Sequence, residues 1–144
     1  MKYRFKILIA VLFAACSSLS AKTLNIKISD IDINRGGAIV VMIFTGDGFP
    51  TQHKQANYIQ AKSALQSTLN FQFDVDVKEL AIKVLHDENS DNKVNKNWTG
   101  IYPREGLGFS NNQTLGITGP PNYQDSKLSA NQLENDININ LIYP

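Results

Sequence analysis

The sequence predicts an all-β protein: a single β-sandwich with a long irregular loop region before its last strands. Three observations carry that expectation. Short segments alternate apolar and polar residues with period two, clusters of Gly, Asn and Pro separate them, and no long segment repeats its apolar residues at helical spacing. In the first segment Leu24, Ile26 and Ile28 alternate with Asn25, Lys27 and Ser29, the pattern of a strand with one wet face. A turn follows at Asn34-Arg35-Gly36-Gly37, where glycine can adopt φ > 0. The next segment, Ala38 to Phe44 (AIVVMIF), is apolar on both faces and reads as a central strand.

Thr45 to Pro50 is a loop by its Gly and Pro content. Residues 57–63 fit either a strand (Ile59, Ala61) or a helical face (Ala56, Ile59, Ala64). Leu69, Phe71, Phe73 and Val75 form a second clear alternation, and Leu80 to Leu85 (LAIKVL) reads as a largely buried strand. Residues 87–126 are too rich in Asn, Gly and Pro for a long regular element. Ile137, Ile139, Leu141 and Tyr143 then mark the final strand. Five or six strands are thus expected, and each fully buried Leu, Ile, Val or Phe contributes about 1.5–3 kcal/mol toward opposing chain entropy.

Residues 1–21 read as a signal peptide and 22–144 as the single domain. Lys2, Arg4 and Lys6 form a basic start, Ile7 to Ala15 an apolar run, and Ser18-Leu19-Ser20-Ala21 offers small residues for a cut. The run is shorter than the roughly 20 residues needed to span a bilayer, so no transmembrane segment is expected in the mature form. Cys16 is the only cysteine. Phe13-Ala14-Ala15-Cys16 loosely matches a lipoprotein box, which makes a lipid anchor at Cys16 the alternative to simple cleavage. The expected location is the periplasm or the exterior, with an outer-membrane lipoprotein as the alternative. Cleavage takes three of the 14 Lys and Arg and leaves 13 Asp and Glu, a net charge of −2. No basic stripe of the kind nucleic-acid binding requires is present.

The stretch richest in potential chemistry is His86-Asp87-Glu88-Asn89-Ser90-Asp91-Asn92-Lys93-Val94-Asn95. Asp87, Asn89 and Asp91 have the 1, 3, 5 spacing of a calcium loop, the Lys93 carbonyl falls at position 7, and Asn95 at 9. Oxygens at every second residue of a tight loop can wrap a hard cation, which takes about 6–8 of them. Position 6 is Asn92 rather than Gly, and position 12 is Trp98 rather than a closing Glu. Glu105 is a candidate to complete the site from further along. The alternative is that these side chains cap their own loop.

His53 and His86 are the only histidines, expected at the surface or at strand ends. His86 and Asp87, being adjacent in an extended chain, point to opposite faces and make no dyad. No nucleophile elbow is present, and no cysteine survives cleavage. Trp98, Tyr102, Phe109 and Tyr123 are expected to cover the core beneath the long loop rather than to form a binding face.

His86-Asp87-Glu88-Asn89, Lys93, and Trp98-x-Gly100-Ile101-x-Pro103-x-Glu105-Gly106-x-Gly108-Phe109-Ser110-Asn111-Asn112, with Gly48-Phe49-Pro50 and Gly119-Pro120-Pro121, together resemble a secreted bacterial family. It is the family catalogued as domain of unknown function 2141. The resemblance implies an exported sandwich of transthyretin-like or immunoglobulin-like form, and it implies no activity. Asn92 departs from the glycine usual there, and Asp76-Val77-Lys78-Glu79 from a Pro-Pro-Gly turn.

The function expected is a non-catalytic binding or accessory module of the bacterial envelope, steadied by calcium. A metal-dependent hydrolase using His86, Asp87 and Glu105 is the first alternative, and a purely structural domain the second. Convergence of those three side chains in a concave pocket would discriminate between the enzyme and the module.

Overall fold

In a computed structural model, residues 21–100 and 102–144 are described. The predicted leader, except for its last residue, lies outside the described residues, and so does Cys16. The described residues form seven strands: β1 (Lys22–Ser29), β2 (Ala38–Phe44), β3 (Tyr58–Ser63), β4 (Leu69–Val75), β5 (Ala81–Asp87), β6 (Leu107–Phe109) and β7 (Ile137–Asn140). One short helix, α1 (Tyr123–Ser126), and three single 3₁₀ turns complete them. The strands make two sheets in a sandwich-like arrangement, of order β4-β1-β7 and β3-β2-β5-β6. All pairings are antiparallel except β1 with β7.

The period-two segments do what their pattern dictates. Leu24, Ile26 and Ile28 of β1, Phe71, Phe73 and Val75 of β4, and Ile137 and Ile139 of β7 turn inward, against Ile39, Val41 and Ile43 of β2 and Ile82 and Val84 of β5. Their polar alternates stay wet: Asn25, Lys27, Gln72 and Asn138 are exposed.

The four-stranded sheet is apolar on its second face too, which explains the unbroken AIVVMIF run. Val40, Met42, Phe44, Leu85, Leu107 and Phe109 form a separate outer cluster, with Phe49, Ala56 and Val94 packed on it. The loop after β2, whose Phe49–Pro50 peptide is cis, folds back over this face. Phe49 meets Phe44, Phe109 and Tyr123 edge-on, with centroids 5.5–6.3 Å apart.

The sheet edges are guarded. β3 and β4 are the outer strands on one side, and side chains of the first serve carbonyls of the second: Gln60 Nε2 donates to the Gln72 carbonyl (2.7 Å) and Lys62 Nζ to that of Asn70 (2.5 Å). On the other side Leu107 and Ile142 exchange backbone hydrogen bonds, joining β6 to the chain after β7.

Several sequence expectations change. Residues 58–63 resolve as strand, and the irregular 87–126 region contains β6 and α1. The final strand stops at Asn140, short of Tyr143. Trp98 is 96% exposed and Tyr102 is also exposed, so neither covers the core; Phe109 and the half-buried Tyr123 do. Trp98 lies in the turn closed by the bridge of Lys96 with Pro103. His86 lies at the end of β5, as expected, but is fully buried.

Candidate functional site

The Asp/Asn loop leaves β5 at Asp87 and returns at Glu105, and both carboxylates are buried. Asp87 Oδ1 accepts the Asp91 N–H (3.1 Å) and Oδ2 that of Asn92 (2.8 Å). Glu105 Oε1 accepts the Glu88 N–H (3.2 Å) and Oε2 that of Asn95 (2.8 Å). Asn95 Nδ2 adds a further bond to Glu105 Oε1 (3.2 Å). At the loop's outer end Asp91 Oδ1 accepts the Lys93 N–H (2.8 Å), the largest influence holding the Asp91 carboxyl below its ordinary range. Asp91 Oδ2 receives the amides of Asn89 and Asn95 at 3.1 and 3.3 Å. Charged acceptors on backbone N–H groups make strong bonds. Asn92, at φ +58, takes a left-handed conformation in place of glycine, as does Ser90 at φ +60.

Asp87, Asn89, Asp91 and Asn95 are therefore brought into one loop, and Glu105 closes it from below. Among the described residues, no group of three or more His, Cys, Asp or Glu side chains is arranged to hold a metal. Lys93 contributes its N–H to this network; its side chain faces outward.

His86 goes elsewhere. Its Nε2 lies 2.6 Å from the Gly36 carbonyl, which can only accept, so Nε2 carries the proton and Nδ1 accepts from Tyr143 Oη–H (2.7 Å). The Tyr143 oxygen in turn accepts the Asp32 N–H (2.9 Å), and the Arg35 guanidinium lies 4.6 Å over its ring. Arg35 also pairs with Asp32 (3.2 Å) and Glu88 (2.8 Å). Burial pushes the Tyr143 hydroxyl up. These bonds pin the turn after β1 to the chain's end. His86 lies on the inner face of β5 with Ile82 and Val84, and Asp87 continues the outer face of Lys83 and Leu85, as alternation requires.

One concave feature lies on that outer face; another, of about 580 Å³, lies where β3 faces β4 and β1. A groove of about 710 Å³ has Val40, Met42 and Leu85 as its floor and Ile59 at one side. Its walls are residues 51–55 of the loop after β2 and residues 91–93 of the Asp/Asn loop. None of His86, Asp87 and Glu105 lines it.

His53 ties the two walls together. Its Nδ1 donates to the Asn92 carbonyl (3.1 Å), and its Nε2 accepts from Lys83 Nζ (2.8 Å). Lys83 is only 3% exposed, on β5 between Met42 and Phe109 in register, and its ammonium also donates to the Pro50 carbonyl (2.9 Å). Burial lowers its pKa to about 8, with no carboxylate close enough to oppose the shift. Burial and the Lys83 charge both lower His53, against weaker opposition from the Asn92 carbonyl and Asp87.

Sequence reasoning passed over Lys83, although a single cation within the apolar LAIKVL run is a signal that a buried amine sits there. It also missed Ser110, whose Oγ accepts the Ile82 N–H (2.8 Å) and donates to the Ser126 carbonyl (2.5 Å), fastening α1 to β5. The Tyr143 network had no local signature, because its members come from three segments far apart in sequence.

Among the described residues no helix is long and apolar enough to cross a membrane. No curated protein and no solved structure matches the chain. A family model described as "Uncharacterized protein conserved in bacteria" matches residues 26–138, nearly all of the two sheets, and the chain belongs to that family, DUF2141.

Proposed function

We propose that this protein is an exported, non-catalytic binding module of the bacterial envelope whose working surface is the groove outside the four-stranded sheet. The observation that carries this reading is the division of labour between polar groups and the concave surface. His86, Asp87 and Glu105, the side chains a hydrolase would use, each bond the protein's own backbone or Tyr143, and none of them lines the groove. The groove itself has an apolar floor, polar walls and a volume within the ~300–1,000 Å³ typical of small-ligand sites.

The test has two arms. Ester, phosphate and glycoside substrates are expected to turn over no faster than in buffer; turnover that Glu105→Gln abolishes would contradict the reading. A melting-temperature screen of small molecules is expected to yield ligands that stabilise the native protein and not an Ile59→Trp variant, which fills the groove's mouth. Ligands that stabilise both equally would place the binding surface elsewhere.

Calcium is the second reading, at Asp87, Asn89, Asp91, the Lys93 carbonyl and Asn95. It is favoured by the way Asp91, Asn89, Asn95 and Glu105 gather within 3.3 Å links, so that turning two amides would present oxygens inward. A melting midpoint that rises across millimolar calcium, returns with chelator and is lost in Asp91→Ala is the expected result; no movement would end this reading.

A further inference from the structure

We propose that the turn carrying Trp98 and Tyr102 docks the protein on an anionic lipid surface, with the two rings in the headgroup layer and Lys96 and Arg104 against lipid phosphates. None of residues 96–104 lines the groove, so the two surfaces stand or fall separately.

Exposure is the first observation. Trp98 is 96% exposed and Tyr102 59%, and among the described residues neither ring packs against another aromatic ring. Such side chains bury about 150–250 Å² each when they find a partner. Two of them left in water within a few residues mark a contact that the folded chain does not itself make. Each has an apolar body and one polar group, the build that collects where hydrocarbon meets headgroups.

Charge favours lipid over other apolar partners. From Asn92 to Arg104 the chain holds the cations Lys93, Lys96 and Arg104 and no acid. Lys93 interacts with Asp91 and is set aside. Lys96 and Arg104 stand on either side of the two rings in sequence, both exposed, and neither is in an ion pair among the described residues. The acids adjoining the turn are engaged: Glu88 with Arg35, and Glu105 with the N–H groups of Glu88 and Asn95. Cations flanking aromatic rings match an anionic headgroup layer, where each adds roughly fivefold in affinity. A sugar would stack on the rings and leave both cations unused.

The turn's backbone also suits a poorly hydrated layer. The Asn97 N–H donates to the Tyr102 carbonyl (2.8 Å), the Gly100 N–H to the Asn97 carbonyl (2.9 Å) and the Arg104 N–H to the Asn95 carbonyl (2.7 Å). Asn97 Oδ1 accepts the Thr99 N–H (3.2 Å) and hydroxyl (2.5 Å). Groups bonded within the turn need no water when it leaves bulk solvent. The Asn95 N–H, on the buried Glu105 carboxylate at 2.8 Å, fixes the turn's base.

Trp98 is the only tryptophan, so its fluorescence reports on this turn alone. The protein, expressed with its own leader and purified as the cell processes it, is titrated with vesicles of phosphatidylcholine alone or mixed equally with phosphatidylglycerol. With the mixed vesicles a blue-shifted emission and quenching by brominated lipid chains are expected, with binding to phosphatidylcholine at least roughly fivefold weaker. Lys96→Gln/Arg104→Gln, confirmed folded by its melting curve, is expected to lose roughly ten- to thirtyfold on the mixed vesicles. Trp98→Ala, followed by vesicle sedimentation, is expected to lose at least roughly tenfold. The advantage of the mixed vesicles should shrink between about 50 and 500 mM salt. Equal binding to both vesicles would overturn the anionic claim. Sedimentation with vesicles while Trp98 stays unquenched would overturn the proposal and place the membrane contact elsewhere, a lipid on Cys16 included. A blue shift with soluble glycans and none with vesicles would overturn it in favour of a sugar, and no binding to either vesicle would also overturn it. The groove reading survives each of these results.

Discussion

Glu105 and Lys83 are two buried charges that meet opposite fates. Glu105, 2% exposed, is surrounded by donors: the N–H groups of Glu88 and Asn95 and the Asn95 amide. Replacing it by Gln keeps the shape but removes the charge and turns one acceptor into a donor facing an N–H. Glu105→Gln is expected to cost about 2–3 kcal/mol in denaturant unfolding.

Lys83 has only two acceptors, the Pro50 carbonyl and His53 Nε2. Its folded pKa near 8 lies below the ordinary 10.5, so between those values the unfolded chain binds the extra proton. Stability should therefore rise as pH climbs through that window, and Lys83→Met should remove the rise. His53 shifts in the same direction, so stability from that group falls as pH drops below its ordinary 6.5. Asn92 at φ +58 was legible as a turn residue from its type; Asn92→Val is expected to cost about 1–2 kcal/mol, read from a urea midpoint.

At the scale of elements, the strands with one wet face could be read directly, because alternation reports a face that water touches. β1, β4 and β7 were visible on those grounds. β3 was not, since its Ile59 and Ala61 face outward at a sheet edge and leave the chain without a buried stripe. β6 is three residues long and buried throughout, too short for any periodicity.

The Asp/Asn loop was recognisable as one oxygen-rich unit, and its spacing pointed to self-capping or calcium alike. What the sequence left hidden was that Asp87 and Glu105 clamp the loop's two ends. The turn after β1 meets this loop at Gly37, where a Cβ would lie 2.6 Å from Glu88 Cα, at φ +68. Gly37→Ala is thus expected to destabilise by more than about 2 kcal/mol by thermal melting, and Gly36→Ala, with open space around it, by less.

Over the whole molecule, the sandwich carries loops over one outer face. The core between the sheets and the outer cluster are separate sets of side chains on opposite faces of β2 and β5. His53 is the one side chain shown joining those walls, through the Asn92 carbonyl. The groove was invisible in the sequence because its floor, walls and cations come from four separate segments. The catalytic alternative was legible as a cluster in sequence, yet alternation along β5 sends His86 and Asp87 to opposite faces.

On the reading proposed above, the groove, not the His86 and Glu105 surroundings, is where this module meets its ligand. Backbone-amide NMR of the folded domain, titrated with any stabilising ligand from the melting screen, distinguishes the two places. Shift changes are expected to be confined to Val40, Met42, Thr51–Gln55, Leu85 and Asp91–Lys93. Changes centred on Gly36, His86 and Tyr143, or on the Trp98 hairpin, with the groove silent, would contradict it.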